Sequence, residues 1–143
     1  MTAQEVKQWL SRGFWLRQEK EQIVRARQEL FDRLTSITQK TDGVITSSTK
    51  DPHKFDLIAE FDSELAECEK KIDRARGEIF RAIRSLSDHR LRVIMMARYM
   101  ENMSWGEIAA ITHYQERHVY RLHGMALDEL AKTIGKKNPG GYD

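Results

Sequence analysis

The sequence predicts an all-α protein, a long N-terminal helical hairpin or coiled coil followed by a small C-terminal domain of three helices. Three observations carry this expectation. Apolar residues recur at steps of three and four along most of the 143-residue chain, the spacing that gathers them on one helix face. Only two prolines interrupt it, so helices can run long. Finally, the stretch Trp105–Gly124 spaces its apolar residues for two short helices that cross at an angle.

The first helix, about residues 3–37, carries Trp9, Leu16, Ile23, Leu30 and Ile37 at every seventh position, with Ala26 and Leu34 beside them. Lys20 and Arg27 interrupt the companion positions, so this seam leans on Leu10, Val24 and Phe31. A polar loop follows over 38–51, where Asp42-Gly43 signals a turn and Asp51-Pro52 suits a helix start with proline in the first turn. Partner docking by that loop is the alternative reading.

The second helix, about 52–86, holds the strongest seam: Ile58, Phe61, Leu65, Cys68, Ile72, Ala75, Ile79, Ala82 and Leu86 alternate steps of three and four. A helix of about thirty residues extends roughly 45 Å, more than a small C-terminal domain can cover. Another helix must bury it, either the first helix of the same chain or a second copy, so residues 1–86 are expected to form a coiled-coil region and the protein a homodimer. Cys68 falls on the seam and reads as a small buried core residue. Gly77 marks a bend, a close approach of another helix, or an incidental surface position. The acids Glu60, Asp62, Glu64, Glu67, Glu69 and Asp73 flank the seam as solvation and register.

The C-terminal domain is expected over 87–134. Ser87-Asp88 ends the long helix or caps the next, which turns Leu91, Ile94, Met95 and Tyr99 inward; Met95, Met96, Met100 and Met103 read as packing. Ser104 and Glu107 have the spacing of a reciprocal helix cap. Ile108, Val119 and Leu122 close the angle of a helix-turn-helix from inside, Tyr114 supports it, and the small Ala109 lets the second helix cross closely. His113 stands where a positive φ is needed. Residues 135–143, GKKNPGGYD, have the composition of a disordered tail.

The outward face of the second helix of this pair reads Gln115, Glu116, Arg117, His118, Tyr120 and Arg121. Hydrogen-bonding side chains at the start of such a helix point at base edges when it docks in the major groove. Arg117 and Arg121 lie four apart and share a face, suited to a guanine edge or a phosphate. Ser104 and Trp105 at the start of the preceding helix, with Arg90, Arg92, Arg98 and Lys132, and also Lys136 and Lys137, are candidate contacts to the DNA backbone. The alternative for Trp105 is a place in the core, and for the cations a solvated surface.

The run Leu86–Leu130 resembles region four of bacterial sigma factors, through the Arg98-Tyr99 pair, the Glu107-Ile108-Ala109 triplet, Val119, Leu127 and Leu130. The whole chain resembles small phage-encoded transcriptional regulators of the RinA and ArpU type, through YQERHVYRLHG and DGVITSSTKD. This resemblance implies a protein that binds promoter or operator DNA, switches on phage late genes and works with RNA polymerase in the cytoplasm of a bacterial host. Nothing upstream resembles the promoter-melting region of a complete sigma factor.

Charge and composition bound the remaining possibilities. The net charge is +2, and residues 87–143 hold eight Lys/Arg against seven Asp/Glu, so one copy is expected to bind DNA weakly and with strong salt dependence. No signal peptide or bilayer-spanning run is evident, which points to a cytoplasmic protein without a membrane partner. His113, His118 and His123 recur at steps of five and do not converge on a metal. No phosphate loop or activated nucleophile accompanies them, so neither enzyme activity nor a cofactor is expected. Two alternatives stand beside the regulator: a small terminase-like packaging protein that binds DNA as a ring, and a helical adaptor that no longer touches DNA.

Overall fold

The computed structural model describes residues 1–40 and 52–137, and all regular structure among them is helical, as the sequence predicts. In order these are α1 (Ala3–Leu10), α2 (Arg12–Lys40), α3 (Asp56–Arg84), α4 (His89–Tyr99), α5 (Trp105–Thr112) and α6 (Glu116–Lys137). Residues 38–40 of the expected loop continue α2 and residues 135–137 of the expected tail continue α6, while 41–51, including Asp42-Gly43, and 138–143 lie outside the described residues. No helix among those described is long and apolar enough to cross a membrane.

The chain divides into two compact units, Leu16–Ile72 and the remainder, so the boundary falls inside α2 and α3. The sequence places a division at residue 86 instead, and α1 accounts for the difference: its Val6 and Leu10 are buried at 0% and 1% exposure and it packs on α6. The first helix is also two elements. At Ser11 the hydroxyl donates to Lys7 O (2.8 Å) and Arg12 Nε donates to Trp9 O (3.0 Å), bonds that compete with the regular ladder and bend a helix. Thr2 and Glu5 form a complete capping box at the start of α1, which fixes where the element begins.

In the unit Leu16–Ile72, α2 and α3 run antiparallel. Lys20 pairs with Glu69 and Arg27 with Asp62 (2.6 Å), so numbering that rises along one helix falls along the other. The two cations that interrupt the α2 seam thus flank the contact and bridge to α3. Half-exposed pairs of this kind contribute at most about 1 kcal/mol each, so they set register more than stability. Ile58, Cys68 and Ile72 are buried, while Phe61, Leu65, Leu16, Ile23 and Leu30 are half-buried. Burial, helped by Glu19, pushes the Cys68 thiol up from its usual value. The helix start expected at Asp51-Pro52 is shifted, because residues 52–55 form a turn in which Asp56 N–H donates to His53 O (3.1 Å).

In the other unit the interior is built from α1, the last turns of α3, α4, α5 and α6. Ile79, Ile83, Leu86, Ile94, Met95, Ile108, Val119, Leu122 and Leu130 are all essentially buried. Ile83 takes the place the sequence pattern gave to Ala82, which is only half-buried. A straight helix turns once per 3.6 residues, so a seam counted in sevens drifts around it. Asp88 caps α4 by accepting from Arg90 N–H (2.8 Å), and the Arg90 guanidinium beside it lowers the Asp88 carboxyl pKa. Ser87 N–H and Oγ both donate to Glu129 Oε1 (3.3 and 3.4 Å), which ties the α3–α4 turn to α6.

Gly77 neither meets another helix nor marks a break. A Cβ there would meet only the Arg81 guanidinium, at 3.3 Å from Nη1, the flexible end of an exposed side chain. Gly77→Ala is therefore expected to raise stability by about 1 kcal/mol, read as a higher urea midpoint with an unchanged slope. A lower midpoint would show that Arg81 cannot give way.

Candidate nucleic-acid interface

The candidate site is assembled by α5, a three-residue turn (113–115) and α6. Ser104 caps α5: its Oγ accepts from Glu107 N–H (3.2 Å) and donates to Glu107 Oε1 (3.1 Å). The carboxylate thus bonds the hydroxyl instead of reaching back to the backbone. Thr112 ends α5, donating from Oγ1 to Ile108 O (2.7 Å). His113 then adopts φ 60° and ψ 25°, the left-handed conformation that reverses the chain. Its N–H and that of Tyr114 both donate to Ala109 O, satisfying a carbonyl that the helix end leaves open. Gln115 O accepts from His118 and Val119 N–H (3.0 and 3.1 Å) and starts α6.

The interior of this junction is apolar and closed. Ile108 and Val119 are 0% exposed and Leu122 is 1%, while Ala109 and Tyr114 are half-buried. Of the residues expected to face bases, Gln115, Glu116, Arg117, Tyr120 and Arg121 are exposed. Arg117 and Arg121 make no ion pair among the described residues. His118 is half-buried, its ring edge-on to Tyr114 at 4.7 Å. The Glu116 carboxylate turns back toward α5, and a Cβ added at Gly106 would meet its Oε1 at 3.2 Å. That placement sets a negative group at a helix start, where the dipole favours it.

The residues expected to touch the DNA backbone separate into two kinds. Ser104, Arg90 and Lys132 are exposed, with Arg90 Nη2 bonded to Asp88 (2.9 Å). Arg92 is half-buried and closes the end of α3 by donating to Leu86 O. Arg98 and Trp105 serve the interior. The Arg98 guanidinium stacks 4.5 Å over the Trp105 ring and donates to Met103 O (3.0 Å), and the same ring packs against Tyr120 and His123. The side chains of Lys136 and Lys137 lie outside the described residues.

One feature that no motif marks is the buried pair Tyr99–His123, with Tyr99 Oη 2.7 Å from His123 Nε2. His123 occupies a core position of α6 between Val119 and Leu127, four residues from each, and that placement of a polar residue on an apolar stripe was the signal available. Burial pushes the His123 pKa down to about 4, helped by Lys7 and Arg98, and pushes Tyr99 up to about 12. Both groups are therefore neutral at pH 7, and each satisfies the other in an apolar setting. Among the described residues no three His, Cys, Asp or Glu side chains converge as a metal site would require.

No family model, curated protein or solved structure matches this chain.

The histidine shift fixes a pH dependence. Below pH 6.5 the unfolded chain takes up a proton on His123 that the folded chain refuses until about pH 4. Stability from this group is thus complete above pH 6.5 and falls as pH drops through that window, by up to about 3 kcal/mol. Urea unfolding across pH 7 to 4 is expected to show the decline, and His123→Gln is expected to flatten it. An equally steep decline in the variant would contradict the assignment.

Proposed function

We propose that this chain is a sequence-specific double-stranded DNA-binding transcription regulator of the phage type, with α5 and α6 acting as a helix-turn-helix of the sigma-region-four kind. One observation carries the reading: a row of exposed hydrogen-bonding side chains, Gln115, Arg117, Tyr120 and Arg121, stands on a helix whose opposite face is buried. A duplex groove is read by such a row when the helix beneath it is held rigid. Arg117 and Arg121, without an ion pair among the described residues, are the principal readers, and Gln115 and Tyr120 complete the face. Ser104, Arg90, Arg92 and Lys132 contact phosphates. Arg98 and Trp105 leave the backbone set and support α5 instead.

The regulator works as a homodimer and acts on promoters together with RNA polymerase. Support for two copies comes from the unit Leu16–Ile72, where Val24, Phe31, Phe55 and Leu57 remain between 37% and 47% exposed. Apolar side chains left open to this degree along a helical pair favour association.

The test begins with duplexes selected from genomic or random DNA at fixed salt. Arg117→Ala/Arg121→Ala is expected to weaken the selected duplex by at least about 2 kcal/mol, some 30-fold, with circular dichroism unchanged. Equal affinity for selected and scrambled duplexes in the parent chain would overturn the proposal, as would a variant that binds the selected duplex undiminished.

A further inference from the structure

The charges of α3 are segregated along its length. Residues 56–69 carry six Asp/Glu and no Lys/Arg, whereas residues 70–84 carry six Lys/Arg against two Asp/Glu. In the basic half, Glu78 is bonded to Arg12 at 2.8 Å, which leaves Asp73 as the other acid. Arg74, Arg81 and Arg84 are exposed and form no ion pair among the described residues, although Arg12, Arg27 and Arg90 each found a carboxylate.

At 100° per residue these three arginines fall within an arc of about 80°, opposite the buried Ala75, Ile79, Ile83 and Leu86. Gly77 lies in the same arc and contributes no side chain to it. From Arg74 to Arg84 the ridge rises about 15 Å, long enough to follow several phosphates of one strand. Its C-terminal end joins the surface already described. Arg84 borders a groove with His89, Val93 and Ile111, and the adjoining groove carries those last three on to Arg90 and Tyr114. Tyr114 immediately precedes Gln115.

We propose that Arg74, Arg81 and Arg84 form a phosphate track that holds duplex DNA flanking the segment read by α6. The inference rests on the DNA-binding reading above and extends its footprint onto α3. Guanidinium groups suit the role because their planar donors fit phosphate oxygens in pairs. Continuity with the face at Gln115–Arg121 favours a nucleic-acid backbone over an acidic protein as the occupant.

The test uses the full chain and measures affinity against salt for two duplexes, one trimmed to the selected site and one extended on both sides. The variant Arg74→Ala/Arg81→Ala/Arg84→Ala is expected to flatten the salt dependence on the extended duplex by 2 to 3 in log–log slope, about 0.9 for each lost phosphate. It should bind the trimmed duplex as the parent does. Arg76→Ala, exposed elsewhere on α3, is expected to leave both curves unchanged. An unaltered slope for the triple variant, with selected-site binding intact, would overturn the track alone. Loss of sequence preference in the parent chain would overturn the reading on which the track rests.

Discussion

The structure depends on the burial of one stripe of α6. Val119, Leu122, Ala126, Leu130 and Ile134 follow steps of three and four, Leu127 adjoins Ala126, and all six are buried, covered by α1, α4 and α5. Fully burying a leucine or valine side chain stabilises by about 1.5–3 kcal/mol, whereas the half-exposed ion pairs of the chain contribute at most about 1 kcal/mol each. Packing therefore decides the orientation of α6, and charge does not. Once that stripe is fixed, helical geometry alone turns Arg117, Tyr120 and Arg121 outward. Core and candidate interface are two consequences of one periodicity.

The Tyr99–His123 bond is the polar exception inside this packing. A hydrogen bond has direction, which apolar contacts lack, so a buried pair constrains the rotation of α6 against α4 more narrowly than leucines would. Trp105 closes the pair from the α5 side, its ring centroid 4.7 Å from that of His123. Arg98 holds Trp105 in turn. Four side chains from α4, α5 and α6 thus link the three helices that present the exposed row, and the two buried ones that share a hydrogen bond, Tyr99 and His123, remain uncharged at neutral pH.

Much of this was legible in the sequence where the cause is local. Ser104 caps a helix because its hydroxyl and Glu107 are three apart, and His113 takes the positive φ because the chain must reverse there. The spacing of Ile108, Val119 and Leu122 announced a closed junction, and the structure buries all three. What stayed hidden depends on partners distant in sequence. The first helix looked continuous because its seven-residue pattern runs through Ser11, and nothing nearby says that Val6 and Leu10 pack into the unit that contains α6. Lys20 and Arg27 looked like flaws in a seam until α3 supplied Glu69 and Asp62 in antiparallel register. Arg98 looked like a free cation because sequence does not reveal that an indole lies beneath it. The capping box at Thr2 and Glu5 is equally local, its two residues three apart.

The proposed function requires a rigid α6 that offers the Gln115–Arg121 face to a duplex groove. The decisive measurement is amide chemical-shift mapping of the isotope-labelled full chain, titrated with a duplex selected at fixed salt. The largest shifts are expected from Gln115 to Arg121, with the amides of Val119 and Leu122 protected from exchange throughout. Shifts concentrated elsewhere while this segment stays unmoved, or rapid exchange at Val119 and Leu122, would contradict it.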